Sequence, residues 1–272
     1  MSENSFKSLT VLVTGGDKGL GYETARRFVA GGATVYLHAR DLATGEEALT
    51  RLIDDGADPL RLQLVVADFT RLAEVRSLGE RLAGSMPGLD VLVNNAAIAA
   101  PQGRTFTENG IEATFQVNYL APYVLTTALA GRIESRRGRV VNVSSNLHRG
   151  GSVDFADLSR LRRGYSPLAV YAQSKLALTM FTRSLADSHP AALTAVSVYP
   201  GFLDTERPTH GPANTSVTEA ARLLTMLSAP STTVVSGQHY EMLEQMGGAA
   251  LVEKPRARER LARLSAELAK AA

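Results

Sequence analysis

Short apolar runs alternate with helix-length amphipathic segments along almost the whole chain, and this alternation restricts the fold more than any other feature. The runs are TVLVTG (10–15), ATVYLHAR (33–40), LQLVVAD (62–68), DVLVNNAA (90–97), GRVVNVSS (138–145), TAVSVYPG (194–201) and TVVSGQHYE (233–241). Most are near-continuous in Val, Leu and Ile, the pattern of strands buried on both faces of a parallel sheet. Between them, GYETARRFVAGG, GEEALTRLIDDG and AEVRSLGERLAG read as helices, each closing at glycine, a residue that readily ends a helix. The expectation is one α/β domain over residues 1–272, a doubly wound parallel sheet of about seven strands flanked by helices. No internal repeat or low-complexity linker divides it.

Composition narrows the function classes. With 44% apolar and 21% charged residues the chain reads as a soluble globular protein. A net charge of +2 gives no electrostatic case for nucleic acid or a membrane surface. There is no cysteine, which excludes disulfides, thiolate metal sites and a cysteine nucleophile. The five histidines show no metal spacing, so no metal site is expected. The opening MSENSFKSLT lacks the apolar core of a signal peptide, and residues 1–8 read as a flexible N-terminus. No stretch approaches the roughly 20 apolar residues that span a bilayer. A cytoplasmic location without a membrane partner is the expectation.

Two segments interrupt the alternation. Residues 146–169 (NLHRGGSVDFADLSRLRRGYSPLA) follow the fifth run, and residues 202–217 (FLDTERPTHGPANTSV) follow the sixth. Both leave the carboxyl ends of strands, where ligands bind in open α/β sheets, and both read as substrate-side loops. His148 and His210 fall in them and could touch a ligand, as could Arg160, Arg162 and Arg163; ordinary solvated loop residues are the commoner outcome. Residues 253–272 form a charged terminal helix or tail.

The first strand ends in a glycine turn, Gly15, Gly19 and Gly21, that opens a helix. Glycine lets the backbone turn sharply and lets a diphosphate approach the amides at the helix start. The spacing is not G-x-G-x-x-G, so the turn alone is weak evidence of a dinucleotide. Arg40 at the tip of the second strand adds weight, since an arginine there accommodates a 2′-phosphate. Lys18 inside the turn is a second cation on that side, and together they favour NADP(H) over NAD(H), although Asp17 and Asp41 are unhelpful neighbours.

Tyr171 and Lys175 stand four apart in VYAQSKLALTMF, on one face of a helix. A free phenol near pKa 10 is a poor proton shuttle near neutrality, and a nearby ammonium lowers it. Such a tyrosine can protonate a carbonyl oxygen as hydride arrives, or take the proton back. Tyr-x-x-x-Lys is common by chance; its company gives it meaning. Ser144 and Ser145 end the fifth strand, and Asn94, Asn95, Ala96 and Ala97 end the fourth.

With these residues in order, residues 10 to about 245 resemble the short-chain dehydrogenase/reductase family. The T-G-x-x-x-G-x-G motif is matched by Thr14, Gly15, Gly19 and Gly21, and N-N-A-G by Asn94, Asn95, Ala96 and Ala97. The helix asparagine is matched by Asn118, the serine by Ser145, Y-x-x-x-K by Tyr171 and Lys175, and the P-G turn by Pro200 and Gly201. The long interval from Ser145 to Tyr171, with YAQSKLALTMFTRSLA and SGQHYE, looks most like the retinol-dehydrogenase-like branch.

The resemblance implies a Rossmann-type fold and an oxidoreductase acting between a carbonyl and an alcohol of a hydrophobic small molecule. It implies Tyr171 as general acid/base, Lys175 on the nicotinamide ribose, Ser145 on the substrate oxygen and Asn118 holding a water toward Lys175. For NADP(H) it implies Thr14, Gly15, Asp17, Lys18, Gly19, Leu20, Gly21, Arg40, Asp68, Phe69, Asn94, Asn95 and Ala96. Tyr171, Lys175, Pro200, Gly201, Leu203 and Thr205 complete that set. Asp68 would take the adenine amino group and Thr205 the carboxamide. A homodimer or homotetramer is also implied. Two alternatives stay open, a non-redox enzyme of the same fold (dehydratase, epimerase or cyclisation catalyst) and a non-catalytic NADP-binding regulator.

Overall fold

The computed structural model describes residues 6–159, 162, 164–201 and 215–271. Strands β1 (Thr10–Val13), β2 (Thr34–Ala39), β3 (Leu62–Val66), β4 (Val91–Asn94), β5 (Arg139–Val143), β6 (Thr194–Tyr199), β7 (His239–Glu241) and β8 (Glu244–Met246) form one sheet. Its order is β3-β2-β1-β4-β5-β6-β7-β8, parallel throughout except for the last pair. The helices are α1 (Gly19–Ala30), α2 (Leu42–Asp54), α3 (Leu72–Ser85), α4 (Ala113–Phe115), α5 (Ala121–Glu134), α6 (Pro167–Ser188), α7 (Val217–Ser228) and α8 (Pro255–Ala271).

Two apolar layers enclose the sheet. Val11, Val13, Val141 and Val196 pack with α1, α2 and α7, whereas Leu12, Leu92, Val140 and Ala195 pack with α3, α5, α6 and α8. Alternate residues of each strand therefore go to opposite layers, and because both are apolar the strands read as continuous runs. Each fully buried Val or Leu stabilises the fold by roughly 1.5–3 kcal/mol over its exposed state. The chain winds outward from β1 to β3, then crosses back to β4, so β1 and β4 are neighbours at the point where winding direction reverses. The crevice at the carboxyl ends of those two strands is where such sheets bind ligands.

The sheet has eight strands rather than the expected seven or so. β8 is exposed along its length and reads Glu-Gln-Met, so no buried face marks it in the sequence. It pairs antiparallel with β7 through Glu241↔Glu244 and His239↔Met246. Of the 233–241 run only His239–Glu241 is strand. Within the segment 1–8 read as a flexible N-terminus, Phe6 is 2% exposed and its ring lies 4.8 Å from that of Phe28. Burying such a ring is worth roughly 1.5–3 kcal/mol, which offsets part of the cost of ordering the residues around it. Residues 255–271 are helix, with the Tyr119 hydroxyl bonded to Ser265 Oγ at 2.6 Å and Arg76 donating to the Ala269 carbonyl.

Candidate active site

The glycine turn after β1 is tied down from both neighbouring strands, β4 and β2. Thr14 Oγ1 accepts from the amides of Asn95 (2.9 Å) and Ala96 (3.0 Å), joining β1 to β4. Asn95 Nδ2 donates back to the carbonyls of Thr14 and Gly15. From β2, the Gly16 amide donates to the His38 carbonyl at 2.8 Å and the Gly15 amide to His38 Nδ1 at 3.1 Å. A methyl group at Gly21 would stand 1.9 Å from the Gly15 carbonyl oxygen, so only glycine lets α1 start this close to the turn. Helix α1 begins at Gly19, and the Lys18 side chain at its N-cap makes no capping bond. The helix's first amides therefore have no side-chain cap, the kind of helix end that suits an anion, and nothing of the protein lies within 4 Å of a Cβ position at Gly19. These residues fit the diphosphate of a dinucleotide.

The two cations at this end differ from the neighbouring acids in availability. Lys18 is exposed, and the Arg40 side chain is 73% exposed, pairing with Asp41 at 3.4 Å. Asp41 is engaged elsewhere: it caps α2, accepting from the Thr44 amide and hydroxyl at 3.0 Å each, and these bonds hold its carboxyl below the usual range. At Asp17 the backbone carbonyl accepts from Arg51. Asp68 Oδ1 accepts from the Thr70 amide and hydroxyl, and Phe69 lies buried with its ring 4.3 Å from that of His38. Asn94 turns away from the cradle. Its side chain is buried in the α5–α6 layer, donating to Asn142 Oδ1 (2.8 Å) and Thr126 Oγ1 (3.0 Å).

The second group gathers around the carboxyl end of β5. Lys175 is 2% exposed and its ammonium donates to the Val143 carbonyl at 2.8 Å, lying 5.7 Å from the centre of the Tyr171 ring. Ser144 Oγ donates to the Lys175 carbonyl and shares a 2.9 Å bond with Thr179 Oγ1, locking α6 onto β5. Ser145 caps the following 3₁₀ turn, Asn146–Gly150, accepting from the Leu147 amide. Asn118 sits in a π-helical turn, Gln116–Leu120, between α4 and α5, a distortion frequent at functional sites. Its amide nitrogen donates to the Ile98 carbonyl (3.0 Å) and to Ser174 Oγ (3.2 Å), and its oxygen accepts from the Ile98 amide. The bulge lets one side chain join the loop after β4, at Ile98, to Ser174 of α6.

The protonation states differ from the expected ammonium-lowered phenol. Burial pushes the Tyr171 phenol up to about 12, with Tyr199 adding to the rise, and burial lowers Lys175 to about 8. In this state Lys175 is directed at Val143 rather than at the phenol oxygen, so desolvation outweighs attraction between the two. Tyr199, which ends β6, was not legible as a site residue; its position directly before Pro200 is the only sequence signal.

The loop after β5 is partly packed rather than open. His148 is fully buried, with Nδ1 2.6 Å from the Ser145 carbonyl and its ring 4.4 Å from that of His239; burial lowers its pKa. Arg149 pairs with Glu241 and bonds the Gly247 carbonyl, fastening this turn to the β7–β8 hairpin. Gln173 of α6 donates to the Leu158 carbonyl, and Tyr165 donates to Pro101 across the crevice mouth at 2.8 Å. The Arg162 amide bonds Asp157. Arg160, Arg163, Leu203, Thr205 and His210 lie outside the described residues, while Pro200 and Gly201 close β6 at the crevice, Gly201 with φ 97°. Among the described residues no cluster of His, Cys, Asp or Glu could hold a metal, and no helix is long and apolar enough to cross a membrane.

The order of these parts along one doubly wound sheet is matched by the short chain dehydrogenase model over residues 9–212. The chain belongs to the short-chain dehydrogenase family. Within it, the relatives place it in the retinol-dehydrogenase-like branch. It is 38% identical to retinol dehydrogenase 14 of Mus musculus over 74% of this chain, and 29% identical to retinol dehydrogenase 13 of Homo sapiens over 98% of this chain and 86% of that protein. The matches to mouse retinol dehydrogenases 13 and 14 span 63% of those proteins' length. A bacterial relative is the "Putative daunorubicin C-13 ketoreductase DnrU" of Streptomyces sp. (strain C5), 34% identical over 85% of this chain and 82% of that one. Among solved structures, a protein from Mycobacterium paratuberculosis superposes with a TM-score of 0.82 at 30% identity, covering 99% of this chain and 96% of that one. A blue fluorescent protein from a metagenomic library, in complex with NADPH, gives 0.70 at 28% identity over 87% of this chain and 97% of that one.

Proposed function

We propose that the protein is an NADP(H)-dependent oxidoreductase that reduces a ketone or aldehyde of a hydrophobic small molecule to the alcohol. The observation that carries the reading is an uncapped helix end in a glycine cradle after β1, with the buried Lys175 ammonium 5.7 Å from the Tyr171 ring and held on the last residue of β5, next to Ser144 and Ser145. Relatives named for retinol and for a daunorubicin ketone support the substrate class and the carbonyl–alcohol chemistry.

Gly19, Leu20 and Gly21 at the start of α1 would meet the diphosphate, with Thr14, Gly15, Asn95 and Ala96 shaping the turn that presents them, Asp68 and Phe69 on the adenine side, and Tyr171 and Lys175 on the nicotinamide side. NADPH, when bound, supplies the hydride. The protein's own part is the proton and the field. A phenol held near 12 is protonated at neutral pH, which suits donation to an oxygen that gains negative charge as hydride reaches the carbonyl carbon. The Ser145 hydroxyl hydrogen-bonds that oxygen, and the Lys175 ammonium stabilises the phenolate left behind. Preference for NADP(H) rests on Arg40 and Lys18 being available while Asp41 is committed to capping α2.

The test is NADPH oxidation across a panel of apolar ketones and aldehydes, with Tyr171→Phe alongside. Turnover by the unaltered protein, lowered on the order of a thousandfold or more in Y171F with NADPH binding retained, is the expected result. Turnover surviving in Y171F refutes the role of Tyr171. A changed product with no change in cofactor redox state points instead to a non-redox reaction.

A further inference from the structure

His38 ends neither loop nor helix, is 2% exposed, and yet holds three separate parts of the crevice wall. Its carbonyl accepts from the Gly16 amide at 2.8 Å, and its ring nitrogen Nδ1 accepts from the Gly15 amide at 3.1 Å. Its other nitrogen, Nε2, lies 2.9 Å from the carbonyl of Ala67, the residue before Asp68. The ring face packs on Phe69 at 4.3 Å between centroids, 31° from parallel. An amide N–H only donates and a carbonyl only accepts, so both ring bonds require one state, the neutral tautomer with its proton on Nε2. Burial lowers the pKa to about 4, outweighing the opposing pull of Asp17 in the glycine turn and Asp68 at the end of β3.

Two consequences follow for the crevice. The amides of Gly15 and Gly16 are both committed to His38, so an anion must be met by the amides further on, at the uncapped start of α1. The same ring fixes how far the turn stands from the strand end that carries Asp68 and Phe69.

We propose that His38 is a positioning residue for the dinucleotide. Its ring sets the register of the glycine turn against the adenine-side wall, so that α1 presents its amides to the diphosphate. The proposal rests on the cofactor reading above and adds to it a residue that touches no reacting atom.

The experiment compares His38→Phe and His38→Gln with the unaltered protein. Phenylalanine keeps the face that packs on Phe69 but leaves the Gly15 amide and the Ala67 carbonyl without partners. Glutamine offers an acceptor and a donor at comparable separation and restores both. Dissociation constants for NADPH and NADH are measured by calorimetry, with melting temperatures and steady-state kinetics on the best carbonyl of the panel. We expect H38F to weaken both cofactors by about tenfold or more, and H38Q to recover to within about threefold. At saturating cofactor, kcat and the carbonyl KM of H38F stay within about twofold of the unaltered protein, because the groups around Tyr171 do not rest on His38.

If H38F does not fold, His38→Asn, which keeps an acceptor for Gly15 but cannot reach Ala67, takes its place with the same expected weakening in part. A lowered melting temperature with unchanged cofactor affinity overturns the proposal and leaves His38 a structural residue. Loss of kcat without loss of affinity overturns it as well. Failure of the unaltered protein to bind either cofactor overturns the functional reading itself, and the proposal with it.

Discussion

Replacing Lys175 by methionine should abolish turnover and stabilise the fold. The ammonium is buried, and among the described residues its acceptor is the Val143 carbonyl at 2.8 Å. Burial takes its pKa from 10.5 to about 8, and at about 1.36 kcal/mol per pH unit this corresponds to roughly 3 kcal/mol against the charged form in the fold. Methionine fills the space of the lysine stem without the charge. It leaves the Val143 carbonyl without its donor, which costs about 1–2 kcal/mol. The net expectation is a gain of about 1–2 kcal/mol at pH 7, a rise of a few degrees in Tm for a domain of this size.

The gain carries a pH signature. Between about pH 8 and 10.5 the unfolded chain holds a proton on Lys175 that the folded chain has lost, so the unaltered protein becomes more stable as pH rises through that window. K175M has no such group and lacks the rise, so its advantage is full below about pH 8 and shrinks toward pH 10.5. Urea unfolding at pH 7 and pH 10, read by far-UV circular dichroism, measures both quantities. A K175M protein less stable than the unaltered one by more than about 1 kcal/mol at pH 7 would refute the desolvation argument. So would a stability gap that stays constant across the two pH values.

Two further outcomes follow from the same geometry. The kcat/KM for carbonyl reduction should fall as pH rises through about 8, where Lys175 loses the charge that supports the phenolate, while Tyr171 stays protonated to about 12; a profile flat to pH 10 would separate Lys175 from the proton step. Charge removal in R40A/K18A should weaken NADPH by about tenfold or more while changing NADH within about threefold; equal losses for both cofactors in a binding titration would place the 2′-phosphate elsewhere.

Much of the architecture was legible because a doubly covered sheet writes itself into the chain as apolar runs. Seven of the strands, β1 to β7, fall inside the runs read from the sequence, the glycine turn, Asn95 and Ser145 follow strand ends, and Tyr171 and Lys175 share one helix. β8 was not legible, since an exposed strand of Glu-Gln-Met has no buried face to impose a pattern. Nor was Asn94 distinguishable from Asn95. The two are adjacent, and strand alternation alone sends one into the α5–α6 layer and the other onto the Thr14 and Gly15 carbonyls.

What the sequence determined by itself is the winding of the sheet and the residue types at its carboxyl edge, because hydrophobic periodicity and glycine's backbone freedom are local properties. What only the tertiary structure decided is the electrostatic state of the groups that meet there. Lys175 points to Val143, Tyr171 is held protonated, Asp41 is spent on Thr44, and His38 bridges Gly15 to Ala67, a span of 52 residues in the chain. Each of these depends on desolvation and on partners brought close by folding, and neither is a function of neighbours along the sequence.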